Sequence, residues 1–334
     1  MTIVTGVTAR VPAKLNLQLA VGPPRADGYH DLVTVFHAVA LFDEVTVEVA
    51  DRDAVTVTGE GASTVPHDGD NLALRAVAAL RKQARGGHRT AGVHVSIAKR
   101  IPVAAGLAGG SADAAAALVA ANELWAAGLT PQRLAEIAAT IGSDVAFALL
   151  GGTAVGRGRG ERLTPALAPA TQYHWVLAFA EGQLSTPKVY AALDRLRSVA
   201  PGGRPPGIPP STGGLSAPPC PPDPPGPTQP ALDATLMSAL RSGDAARLGR
   251  ALSNDLQPAA LSLYPALRKT LAAGLELGAL GALVAGSGPT CVFLAASAER
   301  ALDLAVSLSG AGVCRSVARV TGPVPGAAVL PAQR

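Results

Sequence analysis

The stretch KRIPVAAGLAGGSADAAAAL, residues 99–118, constrains the fold more than any other part of the sequence. A strand-like segment ends at a proline, glycines follow, and an alanine-rich helix is predicted to begin at Ser111 and to stop at Gly128. Glycine adopts backbone conformations that are closed to other residues, so consecutive N–H groups of such a loop can turn toward one anion. Because the free N–H groups of the helix start point into the same loop, the pattern predicts a phosphate-binding site.

Two better-known phosphate-binding motifs do not fit this loop. No Gly-Lys-Ser/Thr follows it, as a Walker A motif requires, and its glycine spacing differs from that of a dinucleotide-binding fingerprint. A structural alternative also exists, in which the glycine-rich turn only lets a helix pack closely on a strand. The loop alone leaves these two interpretations open.

Length and composition narrow the class of protein. The chain has 334 residues, which favours two domains, and it is 48% hydrophobic and 16% charged, which is typical of a compact globular protein. The net charge of +4 is spread thinly, without a Lys/Arg run interleaved with aromatic residues. We therefore expect a small anionic substrate, with no nucleic acid and no obligate protein partner.

Cysteine usage and hydropathy indicate in which compartment of the cell the protein is expected. The three cysteines, Cys220, Cys291 and Cys314, show no metal-ligand or CxxC spacing, and an odd number argues against a disulfide framework. No basic segment followed by an apolar run opens the sequence, and no stretch approaches eighteen apolar residues. We expect reduced thiols, no membrane association and a cytoplasmic location.

Regular structure is predicted on both sides of the loop. Residues 15–21, LNLQLAV, alternate as a half-buried strand whose other face presents Asn16 to a ligand. Ser143 is predicted to cap a short helix that carries Asp144 in its first turn. The following segment, GGTAVGRGRGERL, has the composition of a second phosphate loop, but its flanking pattern favours a hairpin that turns at residues 158–159.

A second unit is predicted to begin near Tyr173. Its strands and helices follow the order β-α-β-β-α-β, typical of ferredoxin-like domains, with extra helices inserted between Leu232 and Leu277. Between its first helix and those insertions lies Pro201–Pro230, where 13 of 30 residues are proline. Such a segment cannot form a helix or a central strand, so we predict an extended surface excursion without a catalytic role.

Three separated segments resemble the motifs of the GHMP kinase superfamily: PAKLNL at 12–17, IPVAAGLAGGSADAAAAL at 101–118 and VAGSGPT at 284–290. DGYH at 27–30, GSDVAF at 142–147 and STPKVY at 185–190 resemble one branch of it, which phosphorylates a cytidine diphosphate derivative of methylerythritol. The resemblance implies an α+β fold of two domains. Residues 1–170 would form a ribosomal-protein-S5-like α/β domain and residues 171–334 a ferredoxin-like domain.

The same resemblance implies the reaction and its cofactors. ATP, with Mg²⁺, would phosphorylate the 2-hydroxyl of the cytidyl substrate in the non-mevalonate route to isopentenyl diphosphate. Such a transfer needs a carboxylate near the acceptor hydroxyl and a cation beside it. By resemblance Asp144 is the general base, Lys14 stabilises charge and orients Asp144, and Asn16 touches the substrate. Without the resemblance, Lys14 is better explained as a solvated lysine and Asp144 as an acid favoured by the helix dipole.

Binding residues are also implied by resemblance. The cytosine ring would lie between Tyr29 and Tyr190, with His30 on its polar edge and Thr186 nearby. Ser111 would offer an oxygen to Mg²⁺, and Gly286, Ser287, Gly288 and Thr290 would form a turn that shapes the site. The nucleotide would contact the glycine loop and two residues outside it, namely Asn71, Lys99, Pro102, Val103, Ala104, Ala105, Gly106, Leu107, Ala108, Gly109, Gly110, Ser111 and Ala112. The family usually has glycine where Ala105 and Ala108 stand.

Two alternatives compete with this interpretation. Another kinase of the superfamily, acting on homoserine or a mevalonate derivative, would share the loops, but DGYH and Tyr190 argue against it. A ligand-sensing regulator could keep the fold without phosphoryl transfer, since a fold does not establish an activity. The presence of both Lys14 and Asp144 argues against such a regulator.

Overall fold

The computed structural model describes residues 6–83, 92–166, 171–198 and 229–331. The predicted proline-rich excursion lies outside these ranges except for its last two residues, and so does Cys220. Within the described ranges, every helix is too short or too polar to cross a bilayer.

The first unit is built on a large sheet and several helices. Its elements are β1 (Gly6–Pro24), β2 (His30–Ala50), β3 (Ala54–Gly59), a 3-10 turn (Ala62–Thr64), α1 (Leu72–Arg81), β4 (Gly92–Lys99), α2 (Gly109–Leu124), α3 (Pro131–Ile141), α4 (Ser143–Leu150), β5 (Thr153–Gly158) and β6 (Arg162–Pro165). The strands β1, β2, β4 and β3 lie side by side, and β5 pairs with both β2 and β6. The predicted hairpin is confirmed, because β5 and β6 pair as antiparallel neighbours.

The second unit is built on a smaller sheet. Its elements are β7 (Tyr173–Phe179), α5 (Thr186–Ser198), α6 (Ala234–Ser242), α7 (Ala245–Ala251), β8 (Ser253–Asn254), α8 (Gln257–Leu263), α9 (Leu267–Glu276), β9 (Gly281–Val284), β10 (Cys291–Ala295), α10 (Ala298–Gly310), β11 (Ser316–Gly322) and β12 (Ala328–Val329). The sheet order β11-β7-β10-β9, with antiparallel neighbours, confirms the ferredoxin-like prediction. The short strands β8 and β12 instead pair with β1 of the first sheet.

The strand β1 is buried on both faces, so the prediction of a half-buried strand was wrong. Leu15 and Leu17 pack into the main hydrophobic core. The opposite face is covered by the second unit, since the Gln18 amide donates to the carbonyl of Ala231 and accepts from the N–H of Asp233. The polar face of β1 is therefore an internal wall between the two units.

The two units touch at two glycine-rich turns. Gly106, in the loop before α2, has φ +81°, and a Cβ placed on it would lie 1.9 Å from the carbonyl oxygen of Ala285. Ala285 opens the turn between β9 and β10. Only glycine satisfies both the left-handed backbone and this close approach, so Gly106 fixes how the loop sits against the second unit.

We predict that Gly106→Ala destabilises the protein more than Gly128→Ala. Both glycines have positive φ, but a Cβ on Gly128 would meet no heavy atom of the described chain within 4 Å, so its alanine variant loses only about 1–2 kcal/mol from backbone strain. Gly106→Ala adds an overpacking cost of about 1–3 kcal/mol. Urea unfolding of both variants measures the two losses, and equal losses would contradict the tight contact.

Candidate active site

A cavity of about 590 Å³ lies between the two units. One wall is the glycine loop, which contributes Ala104, Ala105, Gly106, Ala108, Gly109, Gly110 and Ser111. The other walls carry polar side chains, namely Lys14, Asn16, Thr34, Ser143, Asp144, Arg159, Ser185, Thr186 and Ser287. A loop of backbone N–H groups and a set of charged side chains thus face the same space.

Lys14 and Asp144 form the charged centre of this cavity. The Lys14 ammonium lies 3.9 Å from Asp144 Oδ2 and donates a hydrogen bond of 2.7 Å to Asn16 Oδ1. The Asn16 amide in turn donates to Thr34 Oγ1 at 2.8 Å. The Asp144 side chain is one-third exposed, at 33%, whereas that of Lys14 is 10% exposed. The cation is fixed by its neighbours, while the carboxylate is open to a ligand.

Local irregularities of the backbone aim these groups at the cavity. The pairing of β1 with β2 shifts register between Pro12 and Ala13 and again between Asn16 and Gln18, and such bulges re-aim side chains next to active sites. Asp144 stands in the first turn of α4, where the helix dipole favours a carboxylate. The sequence predicted that Ser143 caps α4, and this prediction was wrong. The helix begins at Ser143 itself, after extended Gly142, and no side chain caps it.

The turn between β9 and β10 closes the cavity from the second unit. A Cβ on Gly286 would lie 3.3 Å from the Lys14 ammonium, so this turn packs directly on the charged centre. Asn254 holds the turn, because its amide donates to the carbonyls of Val284 and Gly286, both at 2.7 Å. Sequence reasoning gave no role to Asn254, since nothing in the local pattern links it to a turn thirty residues later.

The glycine loop bends with a mixture of glycine and alanine. Ala104 has φ +52° and Ala108 has φ +60°, a left-handed region that costs an alanine roughly 1–2 kcal/mol. Ala108 precedes α2, and its carbonyl accepts from the N–H of Ala112 at 2.9 Å. The helix therefore begins at Gly109, two residues before the predicted start, and Ser111 lies inside the first turn, on the cavity wall.

Six residues predicted at the nucleotide do not line this cavity: Asn71, Lys99, Pro102, Val103, Leu107 and Ala112. Asn71 caps α1, because its side-chain oxygen accepts from the N–H of Ala73 and its amide donates to Pro66. Pro102 and Val103 line a separate cavity of about 190 Å³, to which Ala105 also contributes. Leu107 and Ala112 are buried in the core, so their side chains face away from the cavity.

Lys99 belongs to a buried ion triad below the glycine loop. Its ammonium donates to Asp43 Oδ2 at 2.6 Å and to Asp113 Oδ2 at 2.7 Å. The three side chains are at most 3% exposed. The predicted contact of Lys99 with the nucleotide cannot be made by its side chain, because the ammonium is enclosed by carboxyl groups.

The triad connects both ends of the glycine loop. Asp43 Oδ1 accepts from the N–H groups of Arg100 at 2.6 Å and Ile101 at 2.8 Å, just before the loop. Asp113 lies in α2, just after it. Burial raises the pKa of Asp113 to about 8, the effect being larger than the opposing attraction of Lys99. Asp113 Oδ1 is buried without a hydrogen-bond partner in the described part of the chain.

A second cavity of about 720 Å³ adjoins the first. The two share the residues Leu32, Ser143, Arg159, Thr186, Pro187 and Tyr190. Tyr29 and His30 also line the second cavity, so the structure brings together the three side chains predicted for the cytosine. The His30 and Tyr190 ring centroids lie 5.0 Å apart, whereas Tyr29, at 55% exposure, stands at the rim.

Polar contacts hold the walls of the second cavity. His30 Nε2 lies 2.9 Å from Asp194 Oδ1 on α5, which leaves Nδ1 of the ring for a ligand. Thr186 Oγ1 lies 2.8 Å from Ser287 Oγ, so it connects α5 to the turn between β9 and β10. Burial and the charge of Asp144 raise the pKa of Tyr190 to about 12, so this ring stays neutral.

Sequence reasoning missed Arg159 and Asp194 as site residues. Asp194 stands four positions after Tyr190 on one helix, a spacing that puts both on the same face. Arg159 lies in the segment whose phosphate-loop interpretation was weighed against a hairpin. The hairpin is present, and Arg159 at its turn still reaches both cavities.

Two family models match the chain: the GHMP kinases N terminal domain over residues 71–152 and the GHMP kinases C terminal over residues 236–314. The 4-diphosphocytidyl-2-C-methyl-D-erythritol kinase of Mycolicibacterium smegmatis is 54% identical over 331 residues, covering 99% of this chain and 94% of the relative. The enzyme of the same name from Thermobifida fusca is 53% identical over 338 aligned residues, which cover 99% of this chain and 100% of that enzyme.

Solved structures resemble the whole chain as well. A crystal structure of 4-(cytidine 5'-diphospho)-2C-methyl-D-erythritol kinase has a TM-score of 0.68 and 31% identity, over 94% of this chain and 98% of its own. Homoserine kinase from Cytophaga hutchinsonii has a TM-score of 0.69 at 18% identity, over 99% of each chain, so it shares the fold.

We predict that the buried triad gives stability a distinct pH dependence. Between its unfolded value near 4 and its folded value of about 8, Asp113 holds a proton in the folded protein that the unfolded chain has released. The contribution of Asp113 to stability therefore falls as pH rises through this range, by up to about 1.4 kcal/mol per pH unit.

The matched variant is Asp113→Asn, which cannot titrate. Urea unfolding of both proteins between about pH 5 and about pH 8 gives the difference in free energy of unfolding, wild type minus variant. We expect this difference to decrease with rising pH. A constant or increasing difference would mean that Asp113 is ionised throughout.

Proposed function

This chain belongs to the 4-diphosphocytidyl-2-C-methyl-D-erythritol kinases of the GHMP kinase superfamily. We propose that the cavity beside the glycine loop binds ATP and that the second cavity binds the cytidine of the acceptor. The enzyme transfers a phosphoryl group from ATP to the 2-hydroxyl of the cytidyl substrate, giving the 2-phosphate and ADP in the non-mevalonate route to isopentenyl diphosphate. The observation that supports this assignment is the position of the Lys14–Asp144 pair, which lies in the cavity of the glycine loop and close to the second cavity.

The glycine loop holds the phosphates of ATP in this proposal. Seven loop residues from Ala104 to Ser111 line the cavity, and the positive end of α2 points toward them. Backbone N–H groups thus supply most of the contacts, so the loop does not depend on the side chains of Lys99 or Asn71.

Mg²⁺ is part of the same proposal. Within the described ranges, no cluster of three or more His, Cys, Asp or Glu side chains suits a metal. Mg²⁺ that accompanies ATP is usually held by one or two protein oxygens together with the phosphates, and Ser111, on the cavity wall, offers such an oxygen. When bound, the ion neutralises charge on the transferring phosphoryl group.

Asp144 is the general base. Its carboxylate accepts the proton of the substrate 2-hydroxyl while the hydroxyl oxygen attacks the γ-phosphorus, and the bond to the β–γ bridging oxygen breaks to release ADP. Lys14 holds Asp144 in position and offsets the negative charge that develops on the phosphoryl oxygens. Asn16 fixes the Lys14 ammonium and faces the acceptor.

The second cavity receives the cytidine. Tyr29 and Tyr190 stack on the ring, His30 binds its polar edge through Nδ1, and Thr186 lies beside it. A base-sized aromatic pocket that opens into the charged cavity suits a nucleotide-linked acceptor better than homoserine or a mevalonate derivative.

Two organisational proposals accompany this function. We assign residues 1–170 and 171–334 to the two domains, with β8 and β12 as strands that the second lends to the sheet of the first. We also assign the reaction to the cytoplasm, since Cys291 and Cys314 carry free thiols, as is usual in a reducing compartment.

We predict that Asp144→Asn lowers kcat roughly 10²–10⁴-fold, the usual contribution of a general base, while the Kd of ATP changes little. Steady-state kinetics and nucleotide titration measure the two quantities. Asp303→Asn, at an exposed carboxylate on α10, is the control and should keep full turnover. A variant of Asp144 with near-wild-type kcat would contradict the assignment of the base.

We predict that the ring of Tyr190 matters and its hydroxyl does not. Tyr190→Ala removes a stacking face worth about 1–3 kcal/mol per base, so the KM for the cytidyl substrate should rise roughly tenfold or more. Tyr190→Phe keeps the ring and should be nearly silent, and neither variant should change the KM for ATP. The same assay run with homoserine and phosphomevalonate tests the alternative acceptors, and an unchanged cytidyl KM in Tyr190→Ala would reopen that choice.

A further inference from the structure

Arg159 occupies the junction of the two cavities. It stands at the turn of the β5–β6 hairpin and lines both spaces. Its guanidinium carbon lies 5.2 Å from the centre of the Tyr29 ring, a cation–π arrangement. Among the described residues, no carboxylate lies within 4 Å of this guanidinium, so its charge is not neutralised by a salt bridge.

The hairpin turn holds Arg159 in this place. Gly158 and Gly160 flank it with φ of +74° and +101°, and the Arg159 N–H donates to Glu161 at 2.6 Å. Phe36 packs against Gly156 and Gly160 of the hairpin.

The hairpin is also tied to the helix of the catalytic base. The ring of Phe36 stacks on Phe147 of α4 with 4.7 Å between ring centroids. Asp144 lies three residues before Phe147, on the same helix. The turn that carries Arg159 and the helix that carries Asp144 are therefore anchored to one aromatic pair.

The chemistry of the acceptor places an anion at this junction. In the proposed function, on which this inference rests, cytosine occupies one cavity and the reacting hydroxyl lies beside Asp144 in the other. The diphosphate joins these two parts of the substrate, so it must cross the space between them. Lys14 and Arg159 are the cations among the described residues of the first cavity, and Lys14 is engaged by Asn16 and Asp144.

We propose that Arg159 binds the diphosphate of the cytidyl substrate and selects for a nucleoside diphosphate over an uncharged nucleoside. A guanidinium presents five N–H donors in a plane, so its edge can bind phosphate oxygens while its face stays on Tyr29. Arg159 thus acts on the acceptor and has no part in binding ATP.

Binding of cytidine and of cytidine diphosphate tests this inference. Calorimetry is performed with saturating ADP, so that neither ligand is measured at the nucleotide loop. The variants are Arg159→Gln, Arg159→Lys and the control Arg157→Gln, which removes an exposed arginine of the same hairpin that lines neither cavity.

We expect Arg159→Gln to weaken cytidine diphosphate roughly ten- to hundredfold, the size of a lost charged hydrogen bond, and to leave cytidine nearly unchanged. Arg159→Lys should recover part of the loss, and Arg157→Gln should match wild type. Equal weakening of both ligands would overturn the inference, because Arg159 would then act only through Tyr29. Unchanged binding of the diphosphate would overturn it as well.

These outcomes separate the inference from the proposed function. Wild-type protein that binds neither ligand would refute the cytosine pocket itself, and this inference with it. If the wild-type protein binds cytidine and the Tyr190→Ala variant does not, the cytosine pocket is supported whatever the Arg159 variants show.

Discussion

The buried triad of Lys99, Asp43 and Asp113 is the interaction on which the rest of the site depends. Removing charges from water is costly, and only close partners with further hydrogen bonds offset that cost. Asp43 meets this condition with two backbone N–H groups at the start of the glycine loop, and Asp113 brings the first turns of α2 to the same ammonium. The triad therefore fixes where the loop leaves the sheet and where it enters the helix.

The position of the loop then sets the position of the second unit. Gly106 meets the carbonyl of Ala285 so closely that no side chain fits between them. The turn that follows Ala285 rests on the Lys14 ammonium through Gly286, and Asn254 secures that turn from a strand paired with β1. The loop, the Lys14 ammonium and the contact between the two units therefore form one continuous packing unit.

The sequence predicted those parts of the architecture that depend on local patterns. It missed those that depend on contacts between residues far apart in the chain. The strand, glycine loop and helix of residues 99–118 and the ferredoxin-like order of the second unit follow from periodicity and glycine placement. Nothing local shows that Lys99 meets carboxylates 14 and 56 residues away, so a lysine beside a phosphate loop was assigned to the nucleotide. The start of α2 was missed because Ala108 adopts a left-handed backbone that its residue type disfavours.

The distribution of charge explains why the glycine loop carries most of the phosphate binding in the proposed function. The Lys99 ammonium is enclosed by the carboxyl groups of Asp43 and Asp113, so it does not offer its charge to the cavity. In that proposal the attraction comes mainly from oriented N–H groups and the positive end of α2, which need a defined backbone rather than a particular side chain. Backbone geometry would thus supply most of the attraction on the ATP side, whereas the proposed role of Arg159 supplies side-chain charge where the acceptor passes.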